Sequence, residues 1–128
     1  MHVCVYRNPF LDIYNTMRDP DLPLTIHEYD EWGNPADPCV DAYIKSYSPS
    51  SNVHTHAYPC MLINVGMKDI RVNPKESYEY VNKILHAQCN QNIYVYGWEN
   101  AGHEGPLLTE DIVEMNKMEI AFLLSLLE

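Results

Sequence analysis

Two loops of the sequence carry side chains that suit proton transfer. Asp69 lies within residues 66–72 and His103 within residues 100–105, and each loop directly follows a short apolar run. A carboxylate in this role fixes the tautomer of an imidazole, which can then take a proton from a nucleophile. An acid followed by a histidine is the order in which α/β-hydrolases carry these two residues. Two simpler interpretations stay open, since Asp69 can be a turn residue before a helix and His103 a solvated loop histidine.

The elements next to these loops are predicted from hydrophobic patterning. Residues 60–65 form an apolar run followed by a glycine, as in a strand that is covered on both faces. A helix is predicted from Asn73 to about His86, and a second strand over residues 92–96. A last helix is expected to begin at a Thr109 cap. Four of its apolar residues are expected to face inward: Ile120, Leu123, Leu124 and Leu127.

The order strand, helix, strand, helix indicates an α/β fold with a parallel sheet and right-handed crossovers. Two strands do not make a stable twisted sheet by themselves, so we expect further strands upstream and an incomplete domain over residues 1–128. The proline-rich first half is expected to hold two short helices, over residues 12–18 and 41–47. In such a sheet, functional side chains gather beyond the carboxyl ends of the strands, where both loops are placed.

Composition narrows the range of partners. The 128 residues are 46% hydrophobic, as expected for one modest domain, and carry 8 Lys and Arg against 18 Asp and Glu, a net charge of -10. This acidity argues against nucleic acid and favours a basic ligand. The sequence shows no signal-peptide pattern at its start and no apolar run long enough to cross a bilayer. We therefore expect a soluble, cytoplasmic protein without a membrane partner.

Neither the cysteines nor a pair of histidines predicts a metal site. His54 and His56 share one side of an extended segment, but no third ligand has suitable spacing, so a solvated loop is favoured. The cysteines lack any C-x-x-C pair and are predicted to be free and mostly buried. They are Cys4, Cys39, Cys60 and Cys89. No metal or organic cofactor is implied.

Short motifs occur in a fixed order from Pro9 to the end of the sequence. They read PFLDI and NTM within residues 9–17, LPLT at 22–25, EWGNP at 31–35, YSP and NV within 47–53, YP at 58–59, G and DIRV within 66–72, and GHEG at 102–105. This series resembles the prolyl oligopeptidase family, especially its oligopeptidase B and prolyl endopeptidase-like branches. The resemblance implies an α/β-hydrolase domain and a serine-type peptidase.

The resemblance also implies roles for individual residues. Asp69 matches the acid of a catalytic triad, His103 its general base and later acid, and Arg71 a side chain that binds a substrate carbonyl or carboxylate. A structural ion pair is the alternative for Arg71. Glu28 and Asp30 match the carboxylates with which oligopeptidase B enzymes hold a basic substrate side chain, and a solvated acidic turn is the alternative for both.

Two positions depart from the family pattern. Tyr43 occupies the place where prolyl oligopeptidases carry a tryptophan that stacks on the substrate proline, so strict proline specificity is not expected; Tyr43 either lines the pocket or packs as a core aromatic. No serine has a G-x-S-x-G context, and the resemblance puts that elbow upstream of residues 9–12. The chain alone is therefore expected to be inactive.

These observations favour one function and leave two alternatives. Residues 1–128 are expected to be the C-terminal portion of a peptidase domain that cleaves short peptides, with a basic residue before the scissile bond and a propeller elsewhere in the protein. One alternative is a prolyl endopeptidase-like protein that acts by protein binding or on esters. The other is an incomplete gene product without activity of its own.

Overall fold

A three-stranded parallel sheet forms the centre of the chain. The computed structural model describes residues 2–87 and 92–127. The strands are β1 (Val3–Arg7), β2 (Cys60–Gly66) and β3 (Ile93–Trp98), and β2 lies in the middle. Asn64 of β2 pairs with Arg7 at the end of β1 and with Tyr96 of β3. The predicted α/β class is confirmed.

The expectation of only two strands is wrong, because β1 was missed. β1 has five residues, four of them half-buried, and forms one edge of the described sheet. An edge strand of this kind shows neither a continuous apolar run nor a clean alternation. Its β-branched Val3 and Val5 and the aromatic Tyr6 are the signal that was available.

Strand β2 is buried along its whole length because helices cover both faces of the sheet. Helix α4 (Pro74–Ala87) packs Val81 and Ile84 against Met61, Ile63 and Val65 on one face. This confirms the helix predicted over residues 73–86. Helix α5 (Thr109–Ser125) lies on the other face.

Helix α5 is rotated away from the predicted orientation. The residues expected inside are exposed by 43–81%: Ile120, Leu123, Leu124 and Leu127. The side facing the sheet carries Met115, which is buried, and Phe122, whose ring lies 6.0 Å from that of Tyr94. It also carries Glu119, which accepts hydrogen bonds from Arg7 and Asn64. The helix has apolar residues on both sides, so its apolar pattern does not by itself select the side that faces the sheet. Thr109 is its first residue and does not act as a side-chain cap.

The first half of the chain forms a second, smaller core of short helices. They are α1 (Ile13–Thr16), α2 (Tyr29–Trp32) and α3 (Pro38–Tyr47), with 3-10 turns at Ile26–Glu28 and Pro49–Ser51. Ile13, Met17 and Ile44 form the buried cluster. Helix α1 is shorter than predicted, and α3 begins three residues earlier, where Asp37 accepts a hydrogen bond from the Cys39 N–H at 2.8 Å.

The cysteines are only partly as predicted. Cys4, Cys39 and Cys60 are free, but Cys39 is exposed because it lies on the solvent side of the first turn of α3. Cys89 lies outside the described residues. The part of the chain that the structure describes has no group of three or more potential metal ligands and no helix long and apolar enough to cross a membrane.

Candidate active site

Asp69 and His103 meet at the carboxyl end of the sheet. Their loops follow β2 and β3, which are parallel neighbours, and the Nδ1 atom of His103 lies 2.9 Å from Oδ2 of Asp69. The Asp69 side chain is 1% exposed, whereas that of His103 is 33% exposed. The arrangement therefore joins a buried carboxylate to an imidazole that is partly open to solvent.

The orientation of the Asp69 carboxylate is fixed by its own loop. Its Oδ1 atom accepts hydrogen bonds from the N–H groups of Arg71 and Val72, at 2.8 and 3.0 Å. The other oxygen is thereby directed at His103. A carboxylate accepts but does not donate, so the neutral imidazole must carry its proton on Nδ1. The lone pair then lies on Nε2, the atom that can act as a base.

Glycine at position 66 allows the two loops to approach each other. A Cβ atom at Gly66 would lie 2.3 Å from the carbonyl oxygen of Gly102 and 2.7 Å from that of Ala101. Backbone hydrogen bonds join the loops on either side, from Met67 N–H to the Trp98 carbonyl and from Lys68 N–H to the Ala101 carbonyl. The close contact between backbones thus brings Asp69 within reach of His103.

A cavity of about 880 Å³ opens beside the pair. Asp69, His103 and Arg71 line it together with Glu28 from the 3-10 turn Ile26–Glu28. Its lining includes seven carboxylates and two basic side chains. The carboxylates are Asp12, Asp19, Glu28, Glu31, Asp69, Glu76 and Glu79, and the basic side chains are Arg71 and Lys75. The cavity is therefore suited to a positively charged group.

Two of the predicted binding residues lie away from this cavity. Asp30 is on the exposed side of α2, and its neighbour Glu31 lines the cavity instead. Tyr43 is 67% exposed on α3 and stacks edge-on against Tyr47, with ring centroids 5.1 Å apart. Ile44 takes the core-facing position on that helix, which leaves Tyr43 on its solvent side.

Arg71 faces the cavity and also has an ionic neighbour. Its side chain is 57% exposed, and one guanidinium nitrogen lies 3.6 Å from a carboxylate oxygen of Glu104, which is 79% exposed. An exposed pair at this distance contributes little to stability. The guanidinium is therefore not held in a buried ion pair and stays largely open to solvent.

Comparison with known proteins places the chain in a family. Residues 1–128 match the sequence model of the prolyl oligopeptidase family. The chain belongs to this family.

Relatives in the family are much longer than this chain. Dipeptidyl aminopeptidase BI from Pseudoxanthomonas mexicana is 40% identical over 98 residues, which is 76% of this chain and 14% of that protein. The prolyl endopeptidase-like protein of Xenopus laevis is 34% identical over 132 aligned positions, covering 93% of this chain and 19% of the relative. This chain thus spans between about a seventh and a fifth of their length.

A solved structure in the family shows the same local fold. Oligopeptidase B from Trypanosoma brucei, determined with covalently bound antipain, superposes with a TM-score of 0.75 at 34% sequence identity. The match covers 79% of this chain and 14% of that one.

Sequence reasoning overlooked two polar residues that support the site. Glu76, in the first turn of α4, is 7% exposed and accepts hydrogen bonds from the Asp12 N–H and the Thr16 hydroxyl, both at 2.9 Å. Burial raises the pKa of its carboxyl group. The Thr25 hydroxyl in turn donates to the Thr16 carbonyl, so the segment that leads to Glu28 is connected to α4. The other residue, Asn8, contacts the His103 loop.

Proposed function

We propose that this chain supplies the acid and the general base of a serine-type peptidase that hydrolyses short peptides. The observation that carries the proposal is the 2.9 Å contact between His103 and a buried Asp69. Membership of the prolyl oligopeptidase family supports it.

In the proposed mechanism, Nε2 of His103 takes the proton of a serine hydroxyl as the serine attacks the peptide carbonyl. Asp69 stabilises the imidazolium, which then gives its proton to the leaving amine. Water hydrolyses the acyl-enzyme by the same steps, with His103 again acting as base and then acid. The chain has no G-x-S-x-G elbow, so the proposal places the serine in a nucleophile-bearing segment outside residues 1–128. Residues 1–128 are then the C-terminal portion of a peptidase domain, without its propeller.

The proposal includes a preference for a basic substrate side chain. Glu28 lines the cavity and is half-buried, and two further carboxylates, Asp19 and Glu31, line the same cavity. Their combined negative charge attracts a lysine or arginine side chain, more strongly where water is partly excluded. Arg71 is proposed to bind a carbonyl or carboxylate of the peptide.

The substrate preference can be tested with two nearly isosteric peptides in the longest gene product that contains this chain. One peptide has arginine before the scissile bond and the other has neutral citrulline. The kcat/KM ratio should favour arginine, and Glu28→Gln should lower that ratio by about tenfold, the effect of losing one charge-assisted hydrogen bond.

Two further variants make the result specific. Glu114 lies on an exposed part of α5, so Glu114→Gln should leave the ratio unchanged. Asp30 is outside the cavity lining, so Asp30→Asn should lower the ratio less than Glu28→Gln does. An unchanged ratio in Glu28→Gln would reject the basic preference. The proposed acid–base roles of Asp69 and His103 would then still stand.

A second candidate is a protein that acts by protein binding or on esters. The notable observation here is that the chain matches a prolyl endopeptidase-like protein, that of Xenopus laevis, over 93% of its length. A matched ester and amide of the same acyl group separate the two candidates. Cleavage of the ester alone would support the second.

A further inference from the structure

Asn8 connects the end of β1 to both loops of the candidate site. Its Oδ1 atom accepts a hydrogen bond from the Gly66 N–H at 2.7 Å. Its Nδ2 atom donates to the carbonyl oxygen of His103 at 2.5 Å and lies 3.3 Å from that of Gly102. One side chain therefore bridges the loop that leads to Asp69 and the loop that carries His103.

These partners determine which way the amide points. A backbone N–H group needs an acceptor, and carbonyl oxygens need a donor, so the reversed amide would set donor against donor and acceptor against acceptor. A carboxylate at this position could keep the contact with Gly66 but would repel the two carbonyl groups. Both halves of the amide are thus used.

The backbone of Asn8 adopts a conformation that few residues tolerate. Its φ angle of 45° lies in the left-handed region, where asparagine is among the residues found most often after glycine. The Asn8 N–H donates to the Asn64 carbonyl at 2.9 Å, which keeps this turn on the sheet. The backbone of Asn8 is therefore held against β2 while its side chain reaches the two loops.

The His103 loop needs such support because of its composition. Gly102 and Gly105 flank the histidine, and Gly105 has a positive φ angle of 84°. Glycines leave the backbone many alternative conformations. Asp69 contacts only the imidazole, whereas Asn8 contacts the His103 backbone.

We infer that Asn8 is a positioning residue, which holds the His103 backbone so that Nδ1 of the imidazole meets Asp69. This inference rests on the proposed acid–base role of His103. Asn8 acts through His103 and has no role in proton transfer itself.

The tautomer of the His103 imidazole is the spectroscopic readout. In the 15N-labelled 128-residue chain, long-range 1H–15N spectra at alkaline pH distinguish the Nδ1–H from the Nε2–H form, and His103→Ala identifies the signal. We expect the Nδ1–H form to dominate in the wild type. Asn8→Asp keeps the acceptor for Gly66, and Asn8→Gly keeps the backbone conformation. In both, the Nδ1–H to Nε2–H ratio should fall about tenfold, as expected for the loss of one hydrogen bond.

A matched asparagine on α5 provides the control. Asn116 accepts a hydrogen bond from Arg7 and is not a partner of the His103 loop, so Asn116→Ala should keep the wild-type ratio. Folded Asn8→Asp and Asn8→Gly chains that keep the wild-type ratio would overturn the role of Asn8 alone. A wild-type chain that holds the Nε2–H form would contradict the proposed Asp69–His103 pair itself.

Discussion

Asp69 is buried and His103 is partly exposed, which suits their proposed roles. The acid is almost fully enclosed and makes three hydrogen bonds, which hold it in one orientation. The imidazole, by contrast, is one-third exposed. A fixed acid with an accessible base is the geometry that general acid–base catalysis requires.

Glu76 should make stability depend on pH in the opposite sense to a carboxylate in an ion pair. Burial raises the pKa of Glu76 above 4.5 in the folded chain, so the folded state binds this proton more tightly than the unfolded state does. The resulting stabilisation is present at low pH and is lost as the pH rises from about 4.5 through the raised pKa. Glu76→Gln removes this titration. The unfolding free energy of the wild type relative to the variant should therefore decline towards neutral pH, which urea unfolding at several pH values measures.

The control for this prediction lies on the same helix. Glu79 is half-exposed and pairs with Lys75 at 3.1 Å, so Glu79→Gln should not show the same decline. A difference between wild type and Glu76→Gln that stays constant, or grows as the pH rises, would contradict the account of Glu76.

At the scale of residues, the sequence predicted those contacts that follow from the fold class. Asp69 and His103 were predicted together because both follow adjacent strands, and the structure places them in contact. Their catalytic roles stay predictions. Asn8 and Glu76 were not foreseen because their partners lie 58 to 95 and 60 to 64 positions away along the chain. No local pattern records contacts of that kind.

At the scale of elements, the site depends on the close approach of the loops that follow β2 and β3. Gly66→Ala would place a methyl group against the fixed carbonyl oxygens of Ala101 and Gly102. We expect a loss of about 3 kcal/mol in unfolding free energy, as for other substitutions that overpack a rigid contact, with a lower melting temperature.

Gly102→Ala provides the matched test of this claim. The nearest atom to a Cβ there is the Lys68 carbonyl oxygen at 3.9 Å, an ordinary contact, so this variant should lose far less stability. Equal losses in the two variants would show that the close approach at Gly66 is not the cause.

Elements with a strong local pattern were predicted and weakly patterned ones were not. The run at residues 60–65 became the buried β2, and Asn73, predicted as the start of the helix, directly precedes α4. Strand β1 was missed because an edge strand is only half-buried. The predicted orientation of α5 was wrong. The hydrogen bonds of Glu119 with Arg7 and Asn64 are tertiary contacts, which helical periodicity does not reveal.

At the scale of the molecule, our proposal assigns two members of a catalytic triad to this chain and the nucleophile elbow to another segment. The chain contains the Asp69–His103 contact and an acidic cavity, and it spans 14% to 19% of the relatives described above. The exposed apolar residues of α5 and the three-stranded sheet fit a portion of a larger domain, as we propose. The sequence predicts this organisation in two ways, because two predicted strands are too few for a stable sheet and because the family motifs occur in a fixed order.

The central claim is that Asp69 and His103 activate a serine supplied by another segment. The most direct measurement is labelling by a fluorophosphonate probe, applied to the longest gene product that contains this chain, to its His103→Ala variant and to the 128-residue chain. We predict that the long product is labelled, that His103→Ala slows labelling strongly, and that the 128-residue chain is not labelled. A folded long product that resists the probe, or one that is labelled equally fast without His103, would contradict the claim.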